Sequence, residues 1–90
     1  MGRGMNAIHW TARAARQLRK LDRQHQRVLV EAVGQLEAMP HCRQVRALRE
    51  HRYGYRLRVG DYRVLSDWDD GIRIVDIQEV SKRDERTYRH

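Results

Sequence analysis

Eleven residues, Tyr55-Arg56-Leu57-Arg58-Val59-Gly60-Asp61-Tyr62-Arg63-Val64-Leu65, constrain this chain more than any others. Tyr53, Tyr55, Leu57 and Val59 alternate with Gly54, Arg56 and Arg58. A period of two puts successive side chains on opposite faces of a strand. Gly60-Asp61 is a two-residue hairpin turn of the Gly-X type, so a second strand returns over residues 62–68. This register pairs Val59 with Tyr62 and sets Arg58 opposite Arg63. With Tyr55, Leu57 and Val59 turned toward a core, Arg56, Arg58 and Arg63 share the open face. Like charges directly opposite one another are destabilising, so a persistent cluster calls for an anion. The other reading is three arginines splayed over a solvated face, and alternation alone leaves both open.

Before Pro40 the period is helical. Residues 7–10 are short, apolar and partly alternating, which suits a first strand. Thr11 fits an N-cap ahead of Ala12, Ala15, Leu18 and Leu21 at helical spacing. Asp22 can cap a second helix from Arg23, in which Val28, Leu29, Ala32, Val33, Leu36 and Met39 form one apolar stripe. Gly34 weakens that helix and Pro40 closes it. Further on, Asp69-Asp70-Gly71 marks another turn. Residues 72–80 are rich in β-branched side chains and read as a central strand buried on both faces. Residues 81–90 are strongly polar, with Tyr88 the one large apolar group among Lys82, Arg83, Arg86 and Arg89. The expected fold is α+β in a β-α-α-β-β-β order. A two-helix hairpin packs on one face of a small, mainly antiparallel sheet.

Charge narrows the function. Lys and Arg total 19 against 12 acidic residues, for a net charge of +7, and only Lys20 and Lys82 are lysines. Guanidinium groups bind phosphate through a planar fork, stay charged at physiological pH and stack on bases. Such an excess favours a polyanionic partner, either nucleic acid or an acidic protein. The single cysteine, Cys42, allows no internal disulfide, so the fold does not depend on oxidation. No apolar run approaches the roughly 18 residues of a membrane span, and no signal peptide is recognisable. A cytoplasmic protein without membrane contact is expected. No acidic cluster or Cys/His spacing suggests a metal, and no small-molecule cofactor is called for.

The stretch Ala47-Leu48-Arg49, the run of residues 55–65, and the tail Lys82-Arg83 through Tyr88 resemble the RelE/ParE toxin superfamily. The leading strand and two helices match its order as well. Met1-Gly2-Arg3-Gly4 precede a second methionine and read as a disordered leader, residues 1–5, ahead of a single RelE/ParE-like toxin domain, residues 6–90. The resemblance implies a toxin of a type II toxin–antitoxin system, with a cognate antitoxin protein as partner. Its RelE-like branch implies an endoribonuclease that cuts messenger RNA at the ribosome. Carried over by position, Arg56 and Arg58 stand where RelE often has lysine, Arg63 matches the phosphate-clamping arginine, and Arg83 and Tyr88 match the terminal catalytic pair. Arg49, Lys82 and Arg86 join them as RNA-binding candidates.

The implied reaction is attack of the RNA 2′-hydroxyl on the adjacent phosphorus, without a metal. Arginine at the lysine positions leaves the general base open, because a guanidinium stays protonated in proteins. Candidates are His90, Tyr88, Asp84, Glu85, His51 and Asp61. Two other readings remain open at this stage: a ParE-like inhibitor of DNA gyrase, and a non-catalytic RNA- or ribosome-binding module.

Overall fold

The computed structural model describes residues 5–82. In chain order the elements are β1 (Ala7–Trp10), α1 (Ala12–Arg19), α2 (Arg23–Gly34), a 3-10 turn (Gln35–Ala38), β2 (Val45–Ala47), β3 (Tyr55–Val59), β4 (Tyr62–Asp69) and β5 (Ile74–Lys82). The five strands form one sheet in the order β1-β5-β4-β3-β2. Only the β1–β5 pair is parallel; the others are antiparallel. The α+β architecture agrees with the sequence reading, with one short strand, β2, added to its order. Three residues between polar loops are too few for a period to stand out.

The helices cover one face of the sheet. Leu29, Val33, Leu36 and Met39 meet Leu57, Val64, Val75 and Ile77 in the core, with Ala14 from α1 also fully buried. Val28 is the exception to the expected stripe: it is 49% exposed, because the buried face of α2 is narrower than the apolar pattern suggests. Gly34 ends the α-helical hydrogen bonding, and the chain tightens into the 3-10 turn there. Thr11 caps α1 as expected, its Oγ1 accepting from the Ala14 N–H at 3.2 Å. Asp22 occupies the N-cap of α2 without a side-chain cap bond.

Two polar devices fix the edges. Asn6, 5% exposed, donates through Nδ2 to the carbonyls of Glu37 and Met39 and accepts from Trp68 Nε1 at 2.9 Å. It ties the entry of β1 to the 3-10 turn and to β4. At the far end of β5, beyond the reach of β1, Gln17 Oε1 accepts the Val80 N–H at 2.7 Å. Thr11 Oγ1 donates to the Ile77 carbonyl at 2.8 Å. Helix α1 thus satisfies backbone groups that an open edge would expose. Strand β5 is interior as expected, but its burial alternates, so only the helix-facing side is packed away. A register shift leaves Gln78 between the Glu79–Leu65 and Ile77–Ser66 pairs.

Candidate nucleic-acid interface

The hairpin at Gly60-Asp61 forms with the expected register. Gly60 has φ +56°, which suits glycine at the first turn position. Val59 pairs with Tyr62, and Arg58 lies directly opposite Arg63. Leu57, Val59, Tyr62 and Val64 are buried beneath the helices. Arg56, Arg58 and Arg63 therefore emerge together on the opposite, uncovered face, as alternation demands.

Strand β2 adds a fourth arginine. Arg46 pairs with Arg56, while Val45 pairs with Leu57 on the core side. The open face thus carries two cross-strand arginine pairs on adjoining strands, Arg46–Arg56 and Arg58–Arg63. Arg46 escaped the sequence reading. Its one signal is the three-residue alternation Val45-Arg46-Ala47, lost in a polar stretch. Gln44, Val45, Arg46, Arg56 and Arg58 line a groove of about 310 Å³ at this edge.

Among the described residues, Arg46, Arg58 and Arg63 form no ion pair. Arg63 is only half-exposed, and its buried Nε has no hydrogen-bond partner among those residues. A buried donor left unsatisfied costs on the order of 1–3 kcal/mol. Four cations and an orphaned donor on one face make a surface shaped for an anion, since an anion would relieve both the repulsion and the missing bond.

Across the sheet the same face changes sign. Asp67 lies further along β4 from Arg63, and Glu79 and Asp76 lie on β5. Asp67 accepts from the Gly54 N–H at 2.8 Å and from Gln78 Nε2 at 3.1 Å. Glu79 lies 3.5 Å from Arg13, and Asp76 lies 2.7 Å from His9 Nδ1.

The remaining candidates are dispersed. Lys82 pairs with Tyr62 and borders a groove of about 250 Å³ on the helix side, together with His25, Val28 and Asp61. It therefore stands apart from the arginines. There His25 Nδ1 meets the Tyr62 hydroxyl at 3.2 Å. Arg49 and His51 are exposed in the β2–β3 loop, at the opposite end of β3 from the Arg58–Arg63 pair, where His51 Nδ1 accepts the Tyr53 N–H at 3.0 Å. His51 is not placed at the arginine cluster, and Asp61, in the turn next to the Arg58–Arg63 pair, borders the helix-side groove. Arg83, Arg86 and Tyr88, with Asp84, Glu85 and His90, lie outside the described residues. Cys42 Sγ donates to the Gln35 carbonyl at 3.2 Å, and burial pushes its thiol pKa up. That makes it a packing residue rather than a nucleophile. Among the described residues no three His, Cys, Asp or Glu side chains are grouped to hold a metal. No helix among them is long and apolar enough to cross a membrane.

A five-stranded sheet with helices on one face and an arginine-lined open face defines a small α+β domain with a cationic sheet surface. Residues 8–87 match the family described as the ParE toxin of the type II toxin–antitoxin system parDE, and the chain belongs to that family, within the RelE/ParE superfamily. It is therefore a toxin of a type II toxin–antitoxin system. The toxin–antitoxin complex RelBE2 of Mycobacterium tuberculosis is similar at 32% identity and TM-score 0.75, covering 88% of this chain and 99% of that one. The archaeal RelE–RelB complex of Pyrococcus horikoshii follows at 25% identity and TM-score 0.74, covering 88% and 96%. The isolated RelE toxin of E. coli shares the fold at 20% identity and TM-score 0.74, covering 88% and 85%. No curated protein matches the chain in sequence.

Proposed function

We propose that this toxin is a RelE-like endoribonuclease that cuts messenger RNA at the ribosome, in the cytoplasm, by metal-independent attack of the RNA 2′-hydroxyl. The observation that carries the reading is the Arg58–Arg63 pair, two cations set directly opposite each other with no ion pair among the described residues, Arg63 also holding a buried Nε without a partner among them. A gyrase inhibitor would have no evident need for such a set. In the reaction a bond forms between the 2′-oxygen and phosphorus as the bond to the 5′-oxygen breaks. The proton leaves the 2′-hydroxyl for a base, and the departing 5′-oxygen takes up another. Charge grows on the non-bridging oxygens, so guanidiniums held on a rigid sheet stabilise the transition state more than the ground state. The same field lowers the pKa of the attacking hydroxyl. Arginine cannot itself take the proton, and the base falls to Tyr88 or another tail residue.

The ParE description of the matching family favours one second reading, gyrase inhibition. A cognate antitoxin is the expected partner on either reading, since similar structures are toxin–antitoxin complexes. Adding purified toxin to messenger RNA with and without ribosomes, and mapping the RNA ends, separates them. Discrete new ends in the presence of ribosomes support the nuclease. Intact RNA together with inhibited supercoiling by gyrase replaces it with the second reading.

A further inference from the structure

We propose that the groove at the β2–β3 edge, built from Gln44, Val45, Arg46 and Arg58 against the stem of Arg56, is a second phosphate subsite. It would hold the RNA backbone one or two nucleotides away from the phosphate at the Arg58–Arg63 pair. The proposal rests on the nucleic-acid reading of the open face and adds to it the path of the strand.

Three observations carry it. First, the groove is concave, about 310 Å³, and lined by three arginines and a glutamine. Its rim is fixed, because Arg58 N–H donates to the Gln44 carbonyl at 3.2 Å and Gln44 sits at φ 67°. Second, the spacing suits a continuing strand. Arg46 stands two strands from Arg63 and two residues along, a separation of roughly 12 Å between backbones at the usual strand spacing and rise. Arginine side chains close much of that distance, so one guanidinium pair and the groove can engage neighbouring phosphates of one chain. Third, the other direction is closed. On the rest of the face Asp67 lies further along β4, and Glu79 and Asp76 lie on β5, and carboxylates there repel a phosphodiester chain. The polarity of the face thus steers single-stranded RNA off the sheet over β2, the strand absent from the sequence reading.

The test uses the full chain and a 2′-O-methyl tetranucleotide, which binds without being cut, in four versions. One has every phosphate charged, and each of the others has one phosphate replaced by a neutral methylphosphonate. Affinity is read by fluorescence anisotropy across a salt series, for the wild type, Arg46→Ala and Arg63→Ala, with thermal melts to confirm folding. Arg46→Ala should weaken binding of the charged oligonucleotide about tenfold, the low end for hydrogen bonds to a charged group. It should also lower the slope of log affinity against log salt by about 0.7, one single-strand phosphate contact. One methylphosphonate position should then cost the wild type affinity yet cost Arg46→Ala nothing further. Losses that simply add at every position, or wild-type binding by Arg46→Ala while Arg63→Ala binds poorly, would overturn the subsite and leave the Arg58–Arg63 site standing. No binding by the wild type would overturn the nucleic-acid reading along with it.

Discussion

Strands β3 and β4 present two faces built from the same eleven residues, and those faces obey opposite rules. On the helix side, Leu57 and Val64 are fully buried and every neighbour is chosen by size. On the open side, Arg56, Arg58 and Arg63 crowd like charges together, and the Arg63 Nε finds no partner among the described residues. The first face lowers the free energy of folding. The second raises it slightly and is tolerated only because the first is secure. A surface at odds with stability marks where selection acted for binding.

The largest effects should come from the covered face. Leu36→Ala or Leu29→Ala should cost about 2–5 kcal/mol through the cavity left behind, a large share of a small domain's stability. A chemical denaturation curve that fails to shift would show that α2 does not anchor the sheet. Next comes the buried polar latch. Asn6→Ala leaves Trp68 Nε1 and the Met39 carbonyl without their side-chain partner, while the Glu37 carbonyl keeps the backbone N–H of residue 6, at a cost of about 1–3 kcal/mol. Denaturation of Asn6→Ala alongside Asn6→Ala/Trp68→Phe sharpens this, since removing the indole N–H as well should recover part of the loss. A smaller effect, about 1 kcal/mol, is expected of Thr11→Ala, which removes the cap of α1 and a bond to β5. Its melting temperature should drop measurably but modestly.

The open face should reverse this order. Arg63→Ala should not destabilise the fold, since losing the unsatisfied Nε, a cost of about 1–3 kcal/mol, and relieving the repulsion both favour a gain. The same substitution should abolish toxicity in cells, as should Arg83→Ala. If Arg63→Ala unfolds the protein or leaves toxicity intact, the division between the two faces does not hold.

How far the sequence foretold this depends on length of pattern. The hairpin, its register and the Arg58–Arg63 pair were legible because nine alternating positions flank a glycine turn. The cap at Thr11 was legible from local chemistry. Strand β2 and Arg46 were not, since three residues cannot display a period of two. Val28 misled because apolar character alone does not reveal which edge of a helix stripe is covered. The unpaired Gln78 in β5 was also invisible, because a register shift depends on the partner strand. The acidic half of the face went unread for the same reason: Asp67, Asp76 and Glu79 come together only through the β4–β5 register.

The most direct test of the central claim is the chemistry of the cut ends. Messenger RNA is incubated with purified toxin and ribosomes, and the cleavage site is mapped. The reaction is then transferred to a model message that is 2′-deoxy at the nucleotide 5′ to that site. With ribosomes kept intact, the account predicts 5′-hydroxyl and 2′,3′-cyclic or 3′-phosphate ends on the natural RNA. It predicts no cut on the 2′-deoxy message, although that message still binds through its phosphates. Products carrying a 5′-phosphate, or a 2′-deoxy message cut as fast as the natural one, would contradict it.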